Sequence, residues 1–205
     1  GDPMCYGIGA SLCKAFPIKE MIILPSPSAL SLACARMGWP HQDVELVTLH
    51  GRPLAILRSY LQPLAKIVVL SNDENSPREV AELLTEQGFG NSQITVLEHM
   101  GGSSERRIEG IARSWSEKPG AGFNTIAIEI LSSPETVLVT RHPGLEDDLF
   151  INDGMLTKKE VRAITLSALQ PYPVSLLWDV GAGSGSVGIE WMRLSPRSLA
   201  IAIEE

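Results

Sequence analysis

The sequence predicts an α/β protein built as two α/β units in series. Strand-length apolar runs alternate with segments of helical periodicity along the 205 residues, and helix-start signals stand between successive runs. One apolar run, Leu176-Leu177-Trp178-Asp179-Val180, breaks into a glycine-rich turn, Gly181-Ala182-Gly183-Ser184-Gly185-Ser186, before a helical pattern resumes at Val187 and Ile189. Alternation of this kind places helices against a sheet.

From the N-terminus, the pattern predicts a helix over about Cys5 to Phe16, a strand at Met21 to Leu24, a helix over about Ala29 to Met37 and a strand at Val44 to Thr48. Further strands are expected at Lys66 to Leu70, Gln93 to Leu97 and Asn124 to Leu131. Between the middle strands Ser76 is expected as a helix N-cap, with Pro77 at the first helical position and Glu79 completing a capping box. That helix runs through Val80, Leu83 and Leu84 to a stop at Gly88, and Lys118-Pro119-Gly120-Ala121-Gly122 reads as a loop.

The turn-forming Arg141-His142-Pro143-Gly144, the acidic Glu146-Asp147-Asp148 and the turn Asn152-Asp153-Gly154 predict a boundary that divides the chain into residues 1–141 and 142–205. Beyond it Thr157-Lys158-Lys159-Glu160 forms a second capping box. Val161, Ile164, Thr165, Ala168 and Leu169 then share one helical face until Pro171.

Hydrophobic residues make up 44% and charged residues 20%, an ordinary globular balance. The net charge of -7 argues against a protein whose main work is gripping nucleic-acid phosphates. The apolar runs are too short to span a bilayer, and the N-terminus lacks the basic-then-apolar layout of a signal peptide. A cytoplasmic protein with neither nucleic acid nor membrane as partner is the expectation. Cys5, Cys13 and Cys34 are widely spaced, with no C-x-x-C and no paired His, which fits reduced, mostly buried thiols and no metal site. The chain opens without Met and stops just after an apolar run, so it is expected to be a segment of something longer.

The glycine-rich turn carries the clearest chemistry. Without Cβ atoms, Gly181, Gly183 and Gly185 let a ligand lie against the backbone, and the N–H groups opening the next helix are free to meet its polar atoms. A dinucleotide fingerprint would place its third glycine at position 186, which is Ser186 here; the third glycine comes at Gly185 instead. A second apolar run, Leu199-Ala200-Ile201-Ala202-Ile203, ends in Glu204, roughly 20 residues after the loop, where a carboxylate can take ribose hydroxyls. Glu205 is the alternative for that role. Thr157 either only caps its helix or also turns its hydroxyl to the ligand beside the loop.

Preceded by Asp179, the G-x-G-x-G form resembles the first motif of class I S-adenosylmethionine-dependent methyltransferases. Met155-Leu156-Thr157-Lys158-Lys159-Glu160-Val161-Arg162, followed by Trp178 through Val187, resembles the start of the C15-methylating, decarboxylating domain in the family of bifunctional precorrin-6Y C5,15-methyltransferases of cobalamin biosynthesis. Three N-terminal segments resemble that family's C5-methylating tetrapyrrole methylase domain. They are Gly1-Asp2-Pro3 with Tyr6-Gly7-Ile8-Gly9, Pro25-Ser26-Pro27-Ser28-Ala29-Leu30 with Ala33, Ala35 and Arg36, and Leu49-His50-Gly51-Arg52.

Covering nearly the whole chain, the resemblance implies the C-terminal lobe of a tetrapyrrole methylase followed by the first part of a Rossmann-like class I methyltransferase domain. It implies S-adenosyl-L-methionine as cofactor, held by Gly181, Ala182, Gly183, Ser184, Gly185, Glu204 and Thr157 in one site and by Gly1, Asp2, Pro3, Ser28 and Ala29 in the other. The implied substrate is a carboxylate-rich precorrin, methylated at C5 and C15 with loss of carbon dioxide from the C12 acetate, and the whole protein is expected to be a homo-oligomer.

Arg52 is the first candidate to pair with substrate carboxylates, with Lys158, Lys159 and Arg162 behind it. His50 is a candidate to polarise or deprotonate substrate, or else a hydrogen-bonded structural residue; no other catalytic group is assigned. The family's N-terminal lobe and later class I strands have no counterpart here, so the isolated chain is expected to be poor in both reactions. A nucleotide-dependent oxidoreductase using the glycine loop and a non-catalytic scaffold are the alternatives.

Overall fold

The N-terminal Gly1-Asp2-Pro3 folds into a turn before any helix starts: the Cys5 N–H donates to the Asp2 carbonyl at 3.2 Å and the Gly9 N–H to the Pro3 carbonyl at 2.9 Å. Helix α1 therefore begins only at Ile8 and spans Ile8–Ala15, later than the apolar pattern suggests. The computed structural model describes residues 1–116, 120–195 and 197–204. Lys118, Pro119 and Glu205, for which a loop and an alternative ribose ligand are expected, lie outside the described residues.

Two units emerge, Gly1–Val137 and Leu138–Glu205. The first holds α1, helix α2 (Ala29–Met37), strands β1 (Val44–Thr48) and β2 (Lys66–Leu70), helix α3 (Ser76–Glu86), and strands β3 (Gln93–Glu98), β4 (Arg106–Ile111) and β5 (Asn124–Glu129). Their sheet runs β1-β2-β5-β3-β4. Only β1 and β2 pair in parallel; the β2–β5, β5–β3 and β3–β4 ladders are antiparallel.

The central strands are mostly apolar because both faces are covered. Ile67 and Val69 of β2, Ile94 and Val96 of β3 and Ile126 and Ile128 of β5 meet Val80, Leu83 and Leu84 of α3 on one side. Val68 and Leu97 meet Ala33 of α2 on the other. Period-two alternation thus delivers apolar side chains to both layers, and each large one removed from water contributes about 1.5–3 kcal/mol.

Two expectations fail here, and one strand goes unforeseen. The run Met21 to Leu24 forms no strand: β1, at the sheet edge, pairs only with β2, and Ile22 stands 90% exposed. Strand β4 is missing from the sequence reading, because Arg-Arg-Ile-Glu-Gly-Ile alternates around charges and looks like a surface segment until β3 supplies its ladder.

Ser76 is not the cap of α3 either. That position falls on Asn75, while Asp73 Oδ1 accepts the N–H groups of Asn75 at 2.8 Å and Ser76 at 3.1 Å. Ser76 turns its hydroxyl back to accept from the N–H groups of Asn72 and Asp73. These backbone contacts hold the Asp73 carboxyl below its ordinary pKa.

The second unit contains helix α4 (Lys159–Leu169), strand β6 (Leu176–Val180), helix α5 (Ser186–Leu194) and strand β7 (Leu199–Ile203), with β6 and β7 parallel. Here too the capping expectation fails. Lys158, not Thr157, occupies the N-cap of α4, and no side chain caps it. The buried positions of α4 are Arg162 and Leu166, whereas Val161 (53%) and Ile164 (69%) are exposed, so the face marked by apolar spacing points away from this unit's interior.

The outward residues of the two strands, Leu176, Trp178, Val180, Leu199, Ile201 and Ile203, are likewise exposed. Cys34 is buried, which pushes its thiol pKa up, while Cys5 and Cys13 are only half-buried, contrary to expectation. Among the described residues no helix is long and apolar enough to cross a membrane.

Candidate functional site

The glycine turn after β6 is built by the chain ends it joins. Gly181 and Ala182 both donate their N–H groups to the carbonyl of Ile203, at 2.8 and 3.3 Å, and the Gly185 N–H closes on the Ala182 carbonyl at 2.8 Å. Gly181, Gly183 and Gly185 have φ of 73°, 51° and 68°, the left-handed region where a Cβ costs about 1–2 kcal/mol.

A Cβ added at Gly181 or Gly185 would meet nothing within 4 Å, and one at Gly183 would find only the Met155 carbonyl oxygen, at 4.0 Å. The glycines are thus required by backbone conformation and face open space, the combination a cradle for a flat polar ligand needs.

Glu204 is brought to the same place: its Oε2 accepts the Gly183 N–H at 2.7 Å. Asp179 plays a supporting part. Its Oδ2 accepts the Gly188 N–H at 3.1 Å, fixing the first turn of α5, and an added Cβ at Gly188 would sit 3.2 Å from that oxygen. Ser186, at the position where a dinucleotide fingerprint would have its third glycine, opens α5 and is buried.

Thr157 is exposed, and its carbonyl accepts from Arg162 Nη1. The guanidinium of Arg162 is fully buried, donating from Nε to Glu190 Oε1 and from Nη1 to Asp147 Oδ1, both at 2.8 Å, and from Nη2 to the Leu145 carbonyl. Burial alone would lower the Arg162 pKa, but Glu190 and Asp147 outweigh it and hold the value above the ordinary one. The guanidinium in turn keeps Asp147 below the usual carboxylate range.

With every arm engaged inside the unit, Arg162 is withdrawn from the set of cations available to a substrate. Lys159 pairs with Glu146 and Lys158 with Asp147 at 3.5 Å. Glu190 and Asp147 escape sequence reasoning, although a carboxylate set between Ile189 and Trp191 on a short apolar helix was a usable signal of a buried partner.

In the first unit Ser28 N-caps α2, its Oγ accepting the Ser31 N–H at 3.1 Å, with Ala29 as the first helical residue. Asp2 Oδ1 accepts the Met4 N–H at 2.7 Å within the Gly1-Asp2-Pro3 turn. His50 is exposed and donates its N–H to Thr48 Oγ1 at 3.2 Å. Gly51 and the exposed Arg52 line an open cleft of about 270 Å³ with Leu49, Asn72, Ser76 and Glu79.

Residues 1–114 match the Tetrapyrrole (Corrin/Porphyrin) Methylases, and residues 148–205 match a Precorrin methyltransferase domain. The chain is 46% identical over 204 residues to the precorrin-6Y C(5,15)-methyltransferase [decarboxylating] of Sinorhizobium sp, covering 100% of this chain and 49% of the relative. It is 40% identical over 208 residues to the protein of the same name in Mycobacterium tuberculosis (strain CDC 1551 / Oshkosh), covering 100% and 51%.

The chain therefore spans about half the length of these curated relatives. The crystal structure of the methyltransferase CobJ shares the fold, with a TM-score of 0.51 at 17% identity over 63% of this chain and 62% of that one. With more than half its length matched to that family, the chain belongs to the tetrapyrrole (corrin/porphyrin) methylases.

Proposed function

We propose that the whole protein is an S-adenosylmethionine-dependent methyltransferase of corrin biosynthesis. It methylates a precorrin of the 6Y type at C5 and C15 and removes carbon dioxide from the C12 acetate. The observation that carries the reading is the cradle of Gly181, Gly183 and Gly185 facing Glu204, joined to a first unit of the methylase family. The named activity of the Sinorhizobium and Mycobacterium relatives supplies the substrate.

The residues fit the cofactor. Glu204 presents a carboxylate to ribose hydroxyls, the glycines let the nucleoside lie on the backbone, and the N–H groups at the start of α5 meet its polar atoms. S-adenosylmethionine, when bound, supplies a methyl group on a sulfonium that an electron-rich ring carbon can attack without covalent help from the protein. The work left to these residues is alignment of donor and acceptor carbon.

In the first unit Gly1, Asp2, Pro3, Ser28 and Ala29 are proposed to contact a second cofactor molecule. Arg52, exposed beside an open cleft, is proposed to pair with a substrate carboxylate. His50 keeps only a candidate role. We assign residues 1–141 and 142–205 to the two methylating domains, and a cytoplasmic homo-oligomer without nucleic-acid or membrane partners to the whole protein.

The test is photo-crosslinking of radiolabelled S-adenosylmethionine to the chain. Label on the peptides around Gly181–Glu204 and around Gly1–Ala29, displaced by S-adenosylhomocysteine and not by NAD, supports the proposal. Displacement by NAD alone would replace it with an oxidoreductase reading.

A further inference from the structure

Arg162 is fully buried, and all but one of its partners lie on the segment between the boundary turn and α4: the Leu145 carbonyl, Asp147 Oδ1, the Thr157 carbonyl, and the Phe150 ring, whose centroid lies 4.6 Å from the guanidinium carbon. The remaining partner, Glu190 of α5, grips the same segment from the other side. It accepts the N–H groups of Gly144 at 2.7 Å and Leu145 at 3.0 Å. Leu145, Phe150 and Leu156 pack together beneath.

Residues 144–157 are thus stitched to α4 through Arg162 and to α5 through Glu190. Helix α5 is the one the glycine loop opens, and the stitched segment brings the Met155 carbonyl to 4.0 Å from the place a Gly183 side chain would start.

A buried ion pair is a weak source of stability, because desolvating both charges offsets their attraction. What an arginine supplies is geometry, five donors in a rigid planar fork that no lysine reproduces. We propose that Arg162 is a positioning residue: by holding the Thr157 carbonyl while paired to Glu190, it sets Met155–Thr157 as a strap along the edge of the glycine loop, forming one wall of the cofactor site. The inference rests on the S-adenosylmethionine reading of that loop. It also explains why an arginine at the start of α4 faces inward while Val161 and Ile164 face out.

The test uses the full 205-residue chain and S-adenosylhomocysteine as probe. An Arg162→Lys variant keeps a cation beside Glu190 but cannot also reach Asp147 and the carbonyls of Leu145 and Thr157. Its affinity for S-adenosylhomocysteine is expected to fall about tenfold at a temperature where circular dichroism shows it folded. Hydrogen exchange on the unaltered chain provides a readout independent of any variant: the ligand should slow the amides of Met155–Thr157 together with those of Gly183–Ser186.

Protection of the loop without the strap, or wild-type affinity in folded Arg162→Lys, overturns the positioning role and leaves the cofactor site standing. Protection of neither segment overturns the cofactor reading itself.

Discussion

The N–H of Gly183 donates to Glu204 Oε2 at 2.7 Å, joining the middle of the glycine loop to a carboxylate 21 residues later in the chain. One hydrogen bond thus brings together two features that the sequence shows only as separate signals. Both residues are open to solvent or nearly so, and the contact adds little to folding. Replacement of Glu204 by Ala is therefore expected to weaken S-adenosylhomocysteine binding by about 10- to 100-fold, the worth of a hydrogen bond to a charged group at about 1.5–3 kcal/mol, with the melting temperature nearly unchanged. Isothermal titration and differential scanning calorimetry of the one variant check both halves.

Asp73 accepts the N–H groups of Asn75, at the N-cap, and Ser76, the first residue of α3, whereas Thr157 makes no cap for α4. Asp73→Ala is expected to lose about 0.5–2 kcal/mol of stability, the usual cost of a missing helix cap, and Thr157→Ala almost none. Urea unfolding of the two variants side by side decides the matter; equal losses would contradict the assignment.

Arg36 holds Glu105 through both guanidinium arms, and the Gly101 N–H adds a third contact at 2.8 Å. Together, with Arg36 the larger cause, they bring the Glu105 carboxyl down to about 2. A carboxylate whose pKa is depressed on folding contributes stability above its unfolded value of about 4.3 and loses it as pH falls through the folded value. The melting-temperature difference between the natural chain and Glu105→Gln should be constant from pH 7 to 5, shrink below about pH 4.3 and vanish only as pH falls below about 2. A difference that grows on acidification would refute it.

On the outward face of β6 and β7, Trp178 and its parallel neighbour Ile201 stand exposed among Leu176, Val180, Leu199 and Ile203. Contiguous apolar surface of this kind drives association. Trp178→Ser is expected to reduce concentration-dependent self-association in sedimentation velocity while leaving S-adenosylhomocysteine affinity unchanged. No change in sedimentation would show that the face is inert.

Much of the fold was legible because local signals agreed with burial. The span of α2, β1 and β2 and the starts of β3 and β5 follow from apolar runs, and in the central strands β2, β3 and β5 most of those residues are buried. The failures share a cause in tertiary pairing. Met21 to Leu24 has the alternation of a strand and no ladder, and Arg106–Ile111 has a ladder and little apolar content.

In α4 the apolar spacing of Val161 and Ile164 marked one face, while the buried face is organised by Arg162, a residue whose type suggests surface until Glu190 and Asp147 are brought to it. The glycine loop was legible because its requirement is backbone conformation, which residue type states directly. The strap was not, since Met155 contributes a carbonyl that every residue possesses.

The most direct test of the central claim, that the glycine loop with Glu204 forms an S-adenosylmethionine site, is calorimetric titration of S-adenosylhomocysteine into the chain and its Gly183→Asp variant. Aspartate tolerates the left-handed conformation better than most residues, so the variant should fold, but its side chain enters the cradle and sets a second carboxylate against Glu204. Saturable binding by the natural chain, lost in the folded variant, is the predicted result. Absence of binding to a folded natural chain, or equal binding by both, would contradict the claim.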